Sequence, residues 1–191
     1  MLLDLVKSSR SFRGFCRDRK VTRRELEYLV ECARYTPSAK NGQVLKYYLA
    51  NASEELAKIL PCTKWAGALK DRTLPEKGKE PTAFVVICYD ETVGDGLGSA
   101  QRDVGIAAQT MMLAARELGL GGCMIGAFSA AGVKKALDLP EHLAPQLLLA
   151  LGEPLETVVV TDARDSITYY RDQEDVHYVP KRTLEELILN K

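Results

Sequence analysis

Two arginines stand three residues apart in Ser9-Arg10-Ser11-Phe12-Arg13, with a hydroxyl beside each turn of the chain. A phosphate needs convergent donors, and arginine supplies a planar fork of them. Two isolated arginines also make an ordinary solvated turn, so this stretch gains meaning only in company. A second polar stretch is Thr36-Pro37-Ser38-Ala39-Lys40-Asn41-Gly42-Gln43. Its amides and hydroxyl suit the edge of a polar heterocycle, although Pro, Ser, Asn and Gly equally make a plain turn. A third is Gly121 to Phe128, a short glycine-punctuated segment where a flat ligand can meet backbone N–H groups.

Other chemistries find little support. The two histidines, His142 and His177, show no metal-ligand spacing with cysteine or carboxylate, and no serine or cysteine has a histidine base close in sequence. Gly94-Asp95-Gly96-Leu97-Gly98 follows a strand and precedes a helix, as a dinucleotide fingerprint would. Asp95 puts negative charge where a phosphate would lie, and no acidic residue ends a second strand near Phe128. Five scattered cysteines (16, 32, 62, 88 and 123) read as free thiols in a reducing cytosol. Lys+Arg 26 balances Asp+Glu 26, which argues against nucleic acid or an anionic membrane as partner. No apolar run approaches the roughly eighteen residues of a membrane span, and no signal-peptide core is visible. A cytoplasmic chain follows.

The elements that must carry these residues can be read from periodicity. Residues 2–9 predict a short helix. Thr22-Arg23-Arg24-Glu25 is a capping box that opens a helix through Leu26, Leu29, Val30 and Ala33. Residues 44–50 read as a strand, and Ser53 caps a short helix ending near Leu60-Pro61. Residues 62–81 read as irregular. Ala83 to Tyr89 is a continuous apolar run, hence a central strand. The stretch 99–118 predicts a long helix with Ser99 as N-cap and Gly119 as its stop. It is apolar nearly all round, so a second copy of the chain is expected to help bury it, with Ala108 and Met112 on the shared face. A helix at 130–139, a strand at 147–151 and a helix after Thr183 complete the reading. Residues 1–191 are expected to form one α+β domain, a three-layer α-β-α sandwich on a mixed or mainly antiparallel sheet.

Taken in order, these motifs resemble the nitroreductase-like FMN-dependent flavoprotein family. That family carries R-R-S-x-R-x-F, then P-S-x-x-N-x-Q-P-W, then a long helix ending G-L-G with a short I-G-G-F segment, then G-x-P and a basic tail. Here they stand as Ser9 to Phe15, Pro37 to Gln43, Leu118 to Gly121 with Ile125 to Phe128, Gly152-Glu153-Pro154, and Tyr170-Arg171. Two departures are plain: Ser9 replaces the first arginine, and Val44-Leu45 replaces Pro-Trp.

The resemblance implies a homodimer that binds FMN at the subunit interface and is reduced by NADH or NADPH. A small electron acceptor, such as a nitroaromatic, quinone or activated alkene, would take the electrons. Arg10, Ser11 and Arg13 would reach the phosphate, the ribityl chain and the N1/O2 edge, with Arg13 tuning the ring. Pro37, Ser38, Lys40, Asn41 and Gln43 would also contact the cofactor, this loop coming from the partner subunit. Met124, Ile125, Gly126 and Ala127 would lie against the ring. Arg171, with Arg164 or Lys181, would complete the phosphate site. Since hydride transfer belongs to the flavin, the resemblance asks for no side-chain acid or base. Flavin-fragmenting or reductively dehalogenating relatives, and a flavin-binding regulatory protein without turnover, are the alternatives.

Overall fold

A computed structural model of the chain describes residues 1–69, 72–94 and 96–190; the side chain of Ser99 and all of Asp95 lie outside the described residues. The helices are α1 (Leu2–Ser8), α2 (Arg23–Arg34), α3 (Ser53–Ile59), α4 (Leu97–Glu117), α5 (Ala130–Ala136) and α6 (Leu184–Leu187). The strands are β1 (Phe15–Cys16), β2 (Leu45–Ala50), β3 (Ala83–Asp90), β4 (Gly121–Ile125), β5 (Leu143–Pro154), β6 (Val158–Asp162), β7 (Tyr170–Arg171) and β8 (His177–Lys181).

β3 is the middle of the main sheet, antiparallel to β2 on one edge and to β5 on the other. β5 also pairs antiparallel with β4 and, through Glu153 and Pro154, with β1. Every residue of β3 is buried because both faces of the sheet are covered. Val85, Ile87, Leu149 and Leu151 join α2 and α4 in one core, while Phe84, Val86, Leu148 and Ala150 join Ile59 of α3 and Val133 of α5 in the other. The strand period of two thus feeds two cores from one run of sequence. Each buried aliphatic side chain stabilises by about 1.5–3 kcal/mol relative to exposure, so these layers dominate the fold's energetics. The α-β-α sandwich on an antiparallel main sheet is as the sequence implies.

Local signals hold well at α2. The Thr22 hydroxyl accepts from the Glu25 N–H at 3.2 Å, and Glu25 accepts from the Thr22 N–H at 2.8 Å. Other boundaries move. α4 begins at Leu97 with Gly96 as its N-cap, two residues ahead of Ser99; Gly96 has φ 132, which glycine alone adopts freely. Ser53 is the first helical residue of α3, with Ala52 at the cap. Gly121 to Ile125 is a paired strand rather than an open segment, and β5 extends well beyond 147–151.

The long helix corrects one expectation. Ala108 and Met112 are 0% and 5% exposed within the chain itself, packed by α2 and the sheet. They do not mark a face left for a second copy. The open stripe of α4 runs instead through Arg102, Gly105, Ile106 and Gln109. The tail brings another difference. It folds into a small second sheet in which β8 pairs parallel with β6 and antiparallel with β7.

Candidate functional site

Glycine decides where the two-arginine segment lies. A Cβ at Gly121 would fall 2.5 Å from a Phe12 ring carbon, and one at Gly122 would collide with the Ala150 carbonyl. With no side chains there, the 11–12 backbone lies directly on β4, and the Phe12 N–H donates to the Gly122 carbonyl at 2.9 Å. Phe12 is buried as an anchor, and the arginines on each side of it are presented to one cavity.

That cavity, of about 310 Å³, is lined by Ser9, Arg10, Ser11 and Arg13 from the N-terminal segment, Gln109 and Met112 from α4, and Met124 from β4. Tyr169 and the β8 residues His177, Val179 and Lys181 close it. Three cations line it, and no carboxylate among the described residues does. The Arg10 Nη2 donates to the Val6 carbonyl at 2.8 Å, while its buried Nε has no partner among the described residues. Burial holds the Arg10 pKa below its usual value.

Arg13 is 8% exposed. Its Nη1 meets His177 Nε2 at 3.3 Å and the Ser11 carbonyl at 3.4 Å, and its guanidinium lies 5.2 Å from the centroid of the Tyr169 ring. Its Nε is buried without a partner among the described residues, as is Nδ1 of His177. Burial and the neighbouring Arg13 and Arg171 push the His177 pKa down to about 4, so the ring is neutral at pH 7.

Arg171 is placed differently. Its guanidinium is ion-paired to Glu156 and, at 3.1 Å, to Asp175, and it does not line this cavity. Glu156 also accepts the Arg13 backbone N–H at 2.5 Å. Of the three basic tail residues named from the resemblance, Lys181 alone reaches the cavity; Arg164 is exposed and apart from it. Of the Met124–Ala127 segment, Met124 points into the cavity. The Ile125 side chain is buried in the opposite core, and Gly126 and Ala127 are exposed. Cys123 is a buried packing residue whose thiol is pushed up by burial.

The 37–43 loop is not brought to this cavity within the chain. It is held against the start of α4 by Asp103, which accepts from Ser38 Oγ at 2.9 Å and the Ala39 N–H at 3.2 Å. Lys40, Asn41 and Gln43 all adopt positive φ there. Pro37, Ser38 and Gln43 line a neighbouring cleft together with Asp103, and Lys40 lines another. Ser9, standing where the resemblance expects arginine, donates Oγ to the Met112 carbonyl at 3.4 Å.

Comparison with known proteins decides the family. A model described as the nitroreductase family matches residues 6–153. The chain belongs to the nitroreductase family. A relative from Methanothermobacter thermautotrophicus, provisionally named an NADH dehydrogenase/NAD(P)H nitroreductase, is 27% identical over 168 residues, covering 86% of this chain and 83% of its own. Among solved structures, a provisionally assigned nitroreductase of Desulfovibrio desulfuricans in complex with FMN aligns with TM-score 0.72 and 21% identity. It covers 100% of this chain and 96% of that one. An FMN-dependent nitroreductase of Clostridium difficile aligns with TM-score 0.66 and 21% identity over 81% of this chain and 88% of that one. The nitroreductase fold is therefore shared along the whole chain. No helix among the described residues is long and apolar enough to cross a membrane, and no group of His, Cys, Asp or Glu among them could hold a metal ion.

Sequence reasoning missed His177, Tyr169 and Glu156. Residue 177 lies 164 positions from its partner Arg13. The available signal was its setting, a histidine inside the apolar run Val176 to Val179 of the tail.

Proposed function

We propose that this nitroreductase-family chain is an FMN-dependent oxidoreductase that takes electrons from NADH or NADPH and passes them to a small acceptor such as a nitroaromatic, a quinone or an activated alkene. One observation carries the reading: Arg10, Arg13 and Lys181 line one cavity to which no carboxylate among the described residues contributes, and its lining residues Arg10, Arg13 and His177 each keep a buried nitrogen without a partner among them. Such a donor set fits a ligand that is anionic and rich in acceptors, as a flavin phosphate and pyrimidine edge are. The relatives named for FMN and NAD(P)H support the same choice.

When bound, FMN supplies the two-electron exchange at N5. The chain's own residues bind and tune. Arg10 and Lys181 would hold the phosphate, Ser9 and Ser11 the ribityl hydroxyls. Arg13 would place its cation at the N1/O2 edge and favour the negative charge that reduction leaves there. The Met124–Ala127 segment would flank the ring, with Met124 as its apolar contact. A second copy of the chain would supply Pro37, Ser38, Lys40, Asn41 and Gln43, since Asp103 holds that loop away from the cavity of its own chain. The homodimer would close over the α4 stripe at Gly105, Ile106 and Gln109. Arg171 and Arg164 have no part in this scheme. All five cysteines are free, which suits the cytoplasm.

The test is the visible spectrum of the purified protein, taken anaerobically before and after NADH or NADPH. A flavin spectrum that bleaches with either nucleotide is expected, and a flavin spectrum that does not bleach would leave a binding protein without turnover. Arg13→Ala should lower the flavin midpoint potential by about 30–65 mV, the equivalent of a charge-assisted contact of about 1.5–3 kcal/mol.

A further inference from the structure

We propose that His177 is a positioning residue for Arg13: together with Tyr169 it holds the guanidinium at the cavity as a buried cation with no carboxylate paired to it among the described residues, so that the neutralising charge must come from the ligand. The proposal rests on the flavin reading above for the ligand's identity, and on this chain's geometry for everything else.

The contact fixes its own chemistry. Arginine has donors only, so the 3.3 Å approach of Arg13 Nη1 to His177 Nε2 requires Nε2 to be the bare, accepting nitrogen. The ring proton then sits on Nδ1, and the ring is neutral. A protonated ring would set two cations against each other. The low pKa agrees with a neutral ring. Tyr169 closes the third side, with its ring 5.2 Å from the Arg13 guanidinium and 5.3 Å from the His177 ring. Around Arg13 there are thus a carbonyl, an imidazole and an aromatic face, all uncharged. Glu156 takes the Arg13 backbone N–H and spends its charge on Arg171.

The backbone shows how this is built. The His177 N–H donates to the Thr157 carbonyl at 2.9 Å, and His177 pairs with Arg171 across β8 and β7. His177 is 1% exposed and cannot swing away. Its ring is held by the small tail sheet while the 11–12 backbone that leads into Arg13 is held by β4, so the contact joins the two parts of the site. A carboxylate at position 177 would hold Arg13 equally well and cancel its charge. A neutral acceptor holds it and leaves the charge for use.

Two measurements test this. The chain has two histidines, so long-range proton–nitrogen correlation on the protein as purified separates His177 from His142 directly. At pH 7 His177 should show protonated Nδ1 and bare Nε2, and Arg13→Met should abolish that preference. A protonated Nε2, or no response to Arg13→Met, overturns the proposal whether or not flavin binds. The second measurement is FMN affinity and midpoint potential in a double-mutant cycle. His177→Leu should weaken FMN binding roughly tenfold and lower the potential, the scale of one hydrogen bond to a charged group. His177→Gln, which keeps a neutral acceptor, should restore most of both. In an Arg13→Met background His177→Leu should add nothing. Equal losses in the two backgrounds overturn the positioning role while the flavin reading stands. A parent that binds no flavin overturns the flavin reading, and the nitrogen correlation then decides the Arg13–His177 coupling alone.

Discussion

Arg13 and Arg171 both bond to Glu156, and the two bonds differ in kind. Arg171 gives Glu156 its guanidinium, adds Asp175, and its side chain is left 3% exposed. Arg13 gives Glu156 only a backbone N–H and turns its guanidinium to neutral partners in the cavity. Burial works against the charge of Arg171, but the two carboxylates outweigh it and its pKa ends above the usual value. Arg10, which also faces the cavity and has no carboxylate, ends below. A buried cation neutralised within the chain ties the tail to the body. One left without a counter-charge is a ligand site in waiting, because an isolated buried charge is costly until something pairs with it.

The strongest way to break that contrast is to remove the carboxylate. Glu156→Gln keeps an acceptor for the Arg13 N–H but takes half of Arg171's neutralisation away. Breaking a buried ion pair costs about 3–5 kcal/mol, and the lower end is expected here because Asp175 remains. Urea unfolding should show that loss. If Arg171→Met, which removes the charge altogether, costs as much or more, the pair is not held chiefly by charge.

Acid sharpens it next. His177 has a folded pKa of about 4 against an ordinary 6.5. Between those values the unfolded chain holds a proton that the folded chain refuses, so stability rises with pH across that window and is lost as pH falls through it. The loss totals at most about 3 kcal/mol at 1.36 kcal/mol per pKa unit. Arg13 and Arg171 face the ring as cations, with Glu156 and Asp175 as the opposing carboxylates. Unfolding free energies of the parent and His177→Gln, measured from pH 7 to pH 4, should diverge with the parent losing more. Parallel curves would mean that the ring titrates normally.

A smaller effect sharpens the division inside the cavity. Arg10→Ala should weaken FMN by about 1.5–3 kcal/mol and leave riboflavin, which lacks the phosphate, unchanged. Equal losses for both ligands in fluorescence titration would move Arg10 from the phosphate to the ring.

The same contrast explains what could be read from the sequence. β3 was legible because seven consecutive apolar residues between turns can only be a strand covered on both faces. α2 was legible because its capping box is local chemistry. The arginines at 10 and 13 were legible as a donor pair because only two residues separate them. What was not legible is pairing across the chain. β6, β7 and β8 are five residues or fewer, and the parallel pair β6 and β8 is separated in sequence by β7, so periodicity has nothing to count. Arg171 looked like a phosphate ligand by its place in the tail, and only the fold shows Glu156 and Asp175 on it. The 37–43 residues had the right types, yet Asp103, a buried acidic residue near the start of α4, decides where they point. Asp103 gave no sequence signal of that role.

The smallest expected effect completes the series with a third arginine from the same tail. Arg164 is exposed, between β6 and β7, and makes no hydrogen bond or ion pair among the described residues. An exposed side chain without partners contributes within about ±0.5 kcal/mol to stability. Arg164→Ala should therefore leave the unfolding midpoint where it is and leave FMN affinity unchanged, in contrast to Arg171 on one count and Arg10 on the other. The measurement is informative because the chain's own cavity gives Arg164 no route to a ligand. A clear loss of FMN affinity with unchanged stability would mean that Arg164 reaches the cofactor held by a second copy of the chain. The sorting of these arginines by burial within one chain would then have to be redone for the dimer.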